Sequence, residues 1–301
     1  MAVITSGAHP KAVWPGVHAW FGAKYASHGD QTTKLFETKT SNKKYEEIVE
    51  TTGFGVAPVK AEGSSVAYDA HAQGITSRGT NVAYALGYIV TKEEKDDNLY
   101  EEVSMQRAES LAFSMATTRN IVGANVYNRA FTAAYAGGDG KELLSDAHPS
   151  LAGNMSNELA TAADMSEASL EDLTIQIMDA KNSKGLQIAL QPKCLIVPTA
   201  LVYEARRILS SLLRSGTADN DLNALNSLNA IPEVVVNNYL TDSDAWFLTT
   251  DVPNGMKHFV RTAMTTGMDG DFDTGNTRYK ARERYSFGVS DPLGIFGSPG
   301  V

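Results

Sequence analysis

Cysteine is almost missing: Cys194 stands alone among 301 residues, so no disulfide can close within the chain and thiols cannot build a zinc site. Such usage fits a reducing compartment, and the expected setting is the cytosol. Long apolar runs are missing too. No stretch approaches the ~20 residues that cross a bilayer, which argues against a membrane partner. Residues 1–7 lack the charged-then-apolar layout of a secretory signal. Positive charge is in deficit, with 26 Lys and Arg against 35 Asp and Glu, a net of −9. Overall charge therefore gives nucleic acid little attraction, which leaves only a local basic patch for that purpose. At 43% hydrophobic and 20% charged residues, the chain is an ordinary globular protein able to bury a substantial core in one domain or two.

Catalytic constellations are missing as well. The six histidines, His9, His18, His28, His71, His148 and His258, show no metal-ligand spacing. His148 follows Asp146, but no Gly-x-Ser-x-Gly elbow supplies a nucleophile, so a structural loop histidine is expected. An EF-hand loop starting at Asp269 needs Gly in sixth place and Glu in twelfth, where Thr274 and Lys280 stand; a solvated turn is expected instead. Gly53-Phe54-Gly55 precedes no helix start and makes no phosphate cradle. The expectation is a non-enzyme without cofactor or metal.

What is present is periodic. Val82, Tyr84, Leu86, Tyr88 and Val90 fall on every second position of residues 79–90, one face of a strand. The acidic stretch 91–98 follows, and Asn98 with Glu101 has the spacing of a capping box. Ala108, Leu111, Met115, Val122, Val126 and Ala130 then mark one side of a helix of about 35 residues, roughly 50 Å long, ended by Gly137-Gly138-Asp139-Gly140. A ribbon leading into so long a helix points to a part that spans neighbours.

Elsewhere, residues 1–38 read as an extended arm anchored by Trp14, His18, Trp20 and Phe21. Residues 40–49 have the look of a short helix, and 53–60 with 63–68 of the outgoing half of a β-excursion whose return is 79–90. Residues 139–165 read as a polar loop. Ser166 is placed to cap a helix to about Lys181 with Leu170, Leu173 and Ile177 inward. Residues 192–198 read as a buried strand, after which Thr199 caps a helix carrying Leu201, Ala205, Ile208, Leu209 and Leu212. Residues 216–229 read as a mobile loop. Strands are expected at 234–236, 246–249, 256–261 and 277–289, with Pro253-Asn254-Gly255 as a turn joining the second and third of these. On the last strand Arg278, Lys280, Arg282 and Arg284 project from one face, and Tyr279, Ala281, Tyr285 and Phe287 take the other.

Several segments in one order resemble the major capsid proteins of tailed bacteriophages, of the Mu-like major head subunit type. They are residues 53–60, Gln73-Gly74, 84–91, 97–100, 124–131, 144–149, 192–198, 243–248 and 279–292, and the resemblance runs from about residue 36 to 297. It implies an α+β chain of the Hong Kong 97-type capsid fold. In that layout, residues 1–38 are the N-terminal arm and 39–95 the E-loop β-hairpin with its base. Residues 96–164 hold the P-domain spine helix and following loop, 165–255 mainly the A-domain, and 256–301 the strands returning to the P-domain and the C-terminus.

The implied function is structural: hexamers and pentamers of an icosahedral shell around double-stranded DNA. The chain would be assembled in the host cytoplasm, reside in the virion capsid, and have portal, scaffold or decoration proteins as partners. The expected interface comprises Trp14, Trp20 and Phe21 of the arm, Val82, Tyr84, Leu86 and Tyr88 of the E-loop, and the stripe Arg278, Lys280, Arg282 and Arg284. The stripe meets acidic residues of another subunit, contacts packaged DNA, or lies bare. Some members of the fold cross-link an E-loop Lys to a neighbour's Asn; Lys60 is the only lysine between Lys44 and Lys92, thin material for that chemistry. The rival readings are a same-fold bacterial nanocompartment shell packaging a cargo enzyme and, disfavoured by the missing nucleophile, a maturation protease.

Overall fold

A computed structural model describes residues 21–97, 100–214 and 221–301, without the side chains of residues 95 and 100–105. Trp14, His18, Trp20 and the Asn98–Glu101 capping box therefore lie outside the described residues. Ten strands form three sheets. In chain order they are β1 (Glu37–Thr40), β2 (Tyr45–Thr51), β3 (Gln73–Thr80), β4 (Val82–Val90), β5 (Pro192–Val197), β6 (Glu233–Val236), β7 (Trp246–Thr250), β8 (Met256–Gly270), β9 (Thr277–Val289) and β10 (Ile295–Ser298). The helices are α1 (residues 21–27), α2 (Lys92–Asp96), α3 (Tyr100–Asn128), α4 (Glu167–Met178), α5 (Val202–Ser210) and α6 (Ala224–Ser227). Sheet orders are β1-β8-β9-β4, β10-β7-β5-β6 and the isolated pair β2-β3.

The first sheet is long because β8 and β9 pair antiparallel through most of their lengths and β4 extends the pairing from Val82 opposite Tyr285 to Val90 opposite Thr277. Along β9 burial alternates as its sequence dictates, with Tyr279, Ala281, Glu283 and Tyr285 buried and Arg278, Lys280 and Arg282 exposed. The buried face lies under α3. At 29 residues α3 reaches about 43 Å and stops at Asn128, before the predicted glycine stop. There the Asn128 amide donates to the Tyr239 carbonyl and accepts from Thr241 N–H, which fixes the helix end against the 237–241 segment. The buried stripe starts as predicted at Ala108, Leu111 and Met115, then rotates to Ala116, Asn120, Ala124 and Tyr127. Val122 and Val126 are only half-buried. Gly123 explains the rotation, since a Cβ there would lie 2.7 Å from Thr32 Cγ2, so the helix approaches residues 30–36 closely on that side.

The second sheet is buried on both faces, which is why residues 194–197 read as an unbroken apolar run. Leu195, Val197, Trp246 and Leu248 pack with Leu170, Leu173 and Ile177 of α4 and Ala205 of α5. Cys194, Ile196 and Phe247 face the other way, onto Tyr127, Leu35, Phe36 and Leu144. Ser166 caps α4 in a reciprocal box with Ser169, as its position predicts, and the helix ends at Met178.

Five expectations are corrected. Residues 45–51 form strand β2 rather than part of a helix: Tyr45, Ile48 and Val49 have helical spacing, but pairing with β3 overrides it. The excursion accordingly leaves on β2 and returns on β3, its tip (residues 52–72) is without strand, and β4 belongs to the large sheet. Thr199 opens a 3-10 turn, Thr199–Leu201, and α5 begins at Val202 without a side-chain cap. Within 216–229, where a loop is predicted, α6 is capped by Asn223 and buries Leu225. Finally, β8 runs past its expected end at Arg261 to Gly270 because β9 offers it a partner along that length, while the predicted turn at 253–255 does join β7 to β8, across two sheets.

Strands β1 and β10 go unpredicted, being only four residues each. Residues 21–27, read as extended arm, are helical.

Candidate assembly surfaces

The β2–β3 hairpin is a two-stranded ribbon, a unit that is marginal in water without further cover. Its base packs beside β9, where a Cβ on Gly79 would lie 3.3 Å from Ser286 Oγ. Gly138 presses on it so closely that a Cβ would sit 2.0 Å from the Thr76 carbonyl oxygen. Lys184 Nζ donates to Ala70 O at 3.1 Å and reaches Asp69 Oδ1 at 3.4 Å, while Ser183 bonds Glu50. Beyond these contacts, Val59 is 100% and Tyr68 95% exposed, and Phe54, Val56 and Val66 are exposed as well. These tip residues are the ones the sequence reading left out of the interface. The available signal was five large apolar side chains in a Gly-, Ser- and Ala-rich stretch with neither helical nor strand periodicity.

Strand β4 carries four residues predicted for the interface, and its own chain treats them unequally. Tyr84 stacks on Tyr285 with centroids 4.8 Å apart, and Tyr88 on Tyr279 at 4.9 Å, both half-covered beneath α3. Val82 and Leu86 remain 50% exposed. Phe21 of the arm is buried, stacked on Tyr25 and packed against Leu111 and Met115 of α3.

A polar seam fastens residues 21–36 to α3 and β9. Tyr25 donates to the buried Glu283 at 3.0 Å, Arg119 pairs with Asp30 at 3.0 Å, and Asn120 accepts from Gln31 N–H and donates to Gly29 O. Burial raises the Glu283 carboxyl above its ordinary range despite the Tyr25 bond. On β8, His258 stacks on Phe287 at 4.3 Å, and burial, helped by Arg119, pushes it down to about 4. Burial likewise pushes the Cys194 thiol up to about 12, so it stays protonated and unreactive.

His148 is held at both ring nitrogens, by Asp139 at Nδ1 and by Asn157 Oδ1 at Nε2, 3.1 Å away. Asn157, fully buried, donates in turn to the carbonyls of Leu143, Pro292 and Ile295, so the group ties a loop to β10. A cleft of about 650 Å³ lies between the hairpin base and α3, with Ile75, Val122, Val126, Arg129 and Tyr135 on its walls. Asp271, in the turn between β8 and β9, is taken up by Arg278 and Thr274. Among the described residues, no three His, Cys, Asp or Glu side chains cluster as metal ligands, and no helix is long and apolar enough to cross a membrane.

The basic stripe stands as its alternation predicts. Opposite Arg278, Lys280, Arg282 and Arg284 in the register lie Ile89, Gly87, Ala85 and Ala83, so small side chains flank the last three.

The family model for phage capsid proteins matches residues 76–297. None of the curated proteins matches. Among solved structures, the virus-like particle from Pyrococcus furiosus is similar at a TM-score of 0.53 and 10% identity, over 94% of this chain and 97% of that one. The capsid of an empty GTA particle gives 0.53 at 13% identity, over 89% of each chain. The capsid of Myoviridae phage XM1 gives 0.50 at 10%, over 90% of this chain and 92% of that one. Identities this low speak for the fold alone, which is the Hong Kong 97-type capsid fold. With the family model covering most of its length, the chain belongs to the phage capsid protein family and is a structural, non-enzymatic shell protein.

Proposed function

We propose that this chain is the major head subunit of a tailed phage, of the Mu-like type, forming hexamers and pentamers of an icosahedral shell around double-stranded DNA. In this reading, residues 1–38 are the arm, 39–95 the E-loop and base, 96–164 the spine helix and its loop, 165–255 mainly the A-domain, and 256–301 the returning strands. Assembly takes place in the host cytoplasm, with portal, scaffold or decoration proteins completing the head. The observation that carries the reading is the hairpin tip: its large apolar side chains stand in solvent at the end of a two-stranded ribbon. A neighbouring copy is the natural cover, and one element reaching the next subunit in turn gives heterologous rings. Val82 and Leu86, half-exposed on β4, and the aromatic residues Trp14 and Trp20 add further contact area.

The similarity to the Pyrococcus furiosus virus-like particle, which spans nearly all of both chains, favours a second reading as a nanocompartment shell holding a cargo enzyme. Electron cryomicroscopy of particles purified from phage-producing cells separates the two. Large heads filled with double-stranded DNA are the expected result; small shells enclosing protein would support the second reading. A chain that stays monomeric, with its tip residues shielded, would overturn both.

A further inference from the structure

The outward face of the β4–β9–β8 sheet is exposed among the described residues, and its charge is specific. Arg278 is paired with Asp271, and Arg284 Nε donates to Asn81 O, but Lys280 and Arg282 form no salt bridge among the described residues. Their surroundings are stripped of bulk: Ala85 and Gly87 lie beside them on β4, Thr265 and Gly267 on β8. Gly87 is required there and Gly267 keeps the space beside Lys280 open. A Cβ on Gly267 would come within 3.1 Å of the Lys280 side chain, and one on Gly87 would meet the Tyr279 carbonyl oxygen at 2.4 Å. Two unneutralised cations thus stand above a flat, small-residue floor that another surface can approach closely.

The complement lies at the end of the same sheet. Strand β4 passes through Thr91 directly into α2, whose exposed acids are Glu93 and Asp96, followed by Asp97. Glu94, the half-buried acid, is already held by Arg107 at 2.8 Å. This tip is fastened down: Thr91 accepts from Glu94 N–H, Lys92 N–H donates to Asn276 Oδ1, and Lys92 packs on Gly275. Residues 91–97 therefore cannot fold back over the stripe without peeling β4 from β9. Glu93, Asp96 and Asp97 form no salt bridge among the described residues, which leaves them open to the stripe of another molecule. The spacings also match: i,i+3 side chains on a helix stand about 5–6 Å apart, and i,i+2 side chains on a strand about 6.6 Å apart.

We infer that the acidic tip Glu93–Asp97 of one copy seats on the Lys280–Arg282 face of a second copy. This contact rests on the shell reading above and names one of its subunit boundaries. It is heterologous, tip to face, so it can propagate around a ring or between rings. Exposed pairs are individually weak and screened by salt, so the contact sets register and salt dependence more than total stability.

A charge exchange tests it in the full-length chain. Lys280→Glu with Arg282→Glu, and separately Glu93→Lys with Asp96→Lys, are each expected to lower the yield of closed particles by about tenfold, since a small loss is repeated at every boundary. Combining all four substitutions is expected to restore yield. Thermal melting of the dispersed subunits must be unchanged, and Lys280→Gln with Arg282→Gln provides a milder variant should the reversal unfold the chain. Three outcomes overturn the inference: normal particles from either reversed pair, no recovery in the fourfold variant, or stripe-reversed particles whose only defect is reduced DNA content, which would assign the stripe to nucleic acid. If the wild type forms no closed particle, the shell reading fails. Salt-dependent association of wild-type and variant subunits in sedimentation then decides the pairing on its own.

Discussion

The β5–β7–β10 sheet and the tip of the β2–β3 hairpin both carry aromatic and branched apolar side chains, yet their fates are opposite. Trp246, Leu195 and Phe296 are wholly buried, while Val59 and Tyr68 stand almost entirely in solvent. Residue type does not separate them. What separates them is cover: the sheet has α4 and α5 on one side and α3 with residues 35–36 on the other, whereas no such layer lies over Val59 and Tyr68 among the described residues. A chain that covers one apolar region so fully and leaves another bare has divided its hydrophobic surface between folding and association.

The sharpest way to break that division is to cut on both sides of it. Trp246→Ala is expected to cost the dispersed subunit about 3–5 kcal/mol, measured by denaturant unfolding, because the cavity it leaves cannot collapse between two packed layers. Val59→Ser with Tyr68→Ser is expected to shift the same measurement by no more than about 0.5 kcal/mol while removing particles from the sedimentation profile. Equal effects on unfolding would erase the distinction.

Acid sharpens it further. His258 is buried with its pKa depressed below the unfolded value, so its contribution to stability is present above about pH 6.5 and is lost as pH falls through about 4. The loss is at most about 3 kcal/mol. Glu283, raised by burial, runs the other way, favouring the fold as pH falls and offsetting part of this. Melting temperatures between pH 7 and 4 should therefore fall in the wild type and fall less in His258→Phe, which keeps the stack on Phe287.

Two smaller changes act on the hairpin alone. Gly138→Ala should displace β3, since Thr76 must move away from the new Cβ; about 1–3 kcal/mol of local stability is at stake, read as faster proteolysis within 52–72. Lys184→Ala should speed the same cleavage only slightly, because its partner Asp69 is half in solvent.

Much of the fold was legible wherever periodicity was long: β9 with its alternating basic and aromatic faces, the beginning of α3, the Ser166 cap, and the doubly buried run at 194–197. Illegible were features set by distant partners. Residues 40–49 read as a short helix until β3 is seen beside 45–51, and Gly138 serves to seat the hairpin rather than to end α3. Strand β4 shows the same limit at the candidate interface. Its alternation correctly placed Tyr84 and Tyr88 on one face, but only the structure places α3 over that face, leaving Val82 and Leu86 as the more open pair. The tip residues escaped because an irregular segment has no period to read.

Hydrogen–deuterium exchange over residues 53–68, compared between dispersed subunits and purified particles, tests the central claim most directly. Rapid exchange in the subunits and strong protection in the particles is the expected pair of results. Equal exchange in both states would mean that no neighbour covers the tip, and the account of how this chain builds a shell would be wrong.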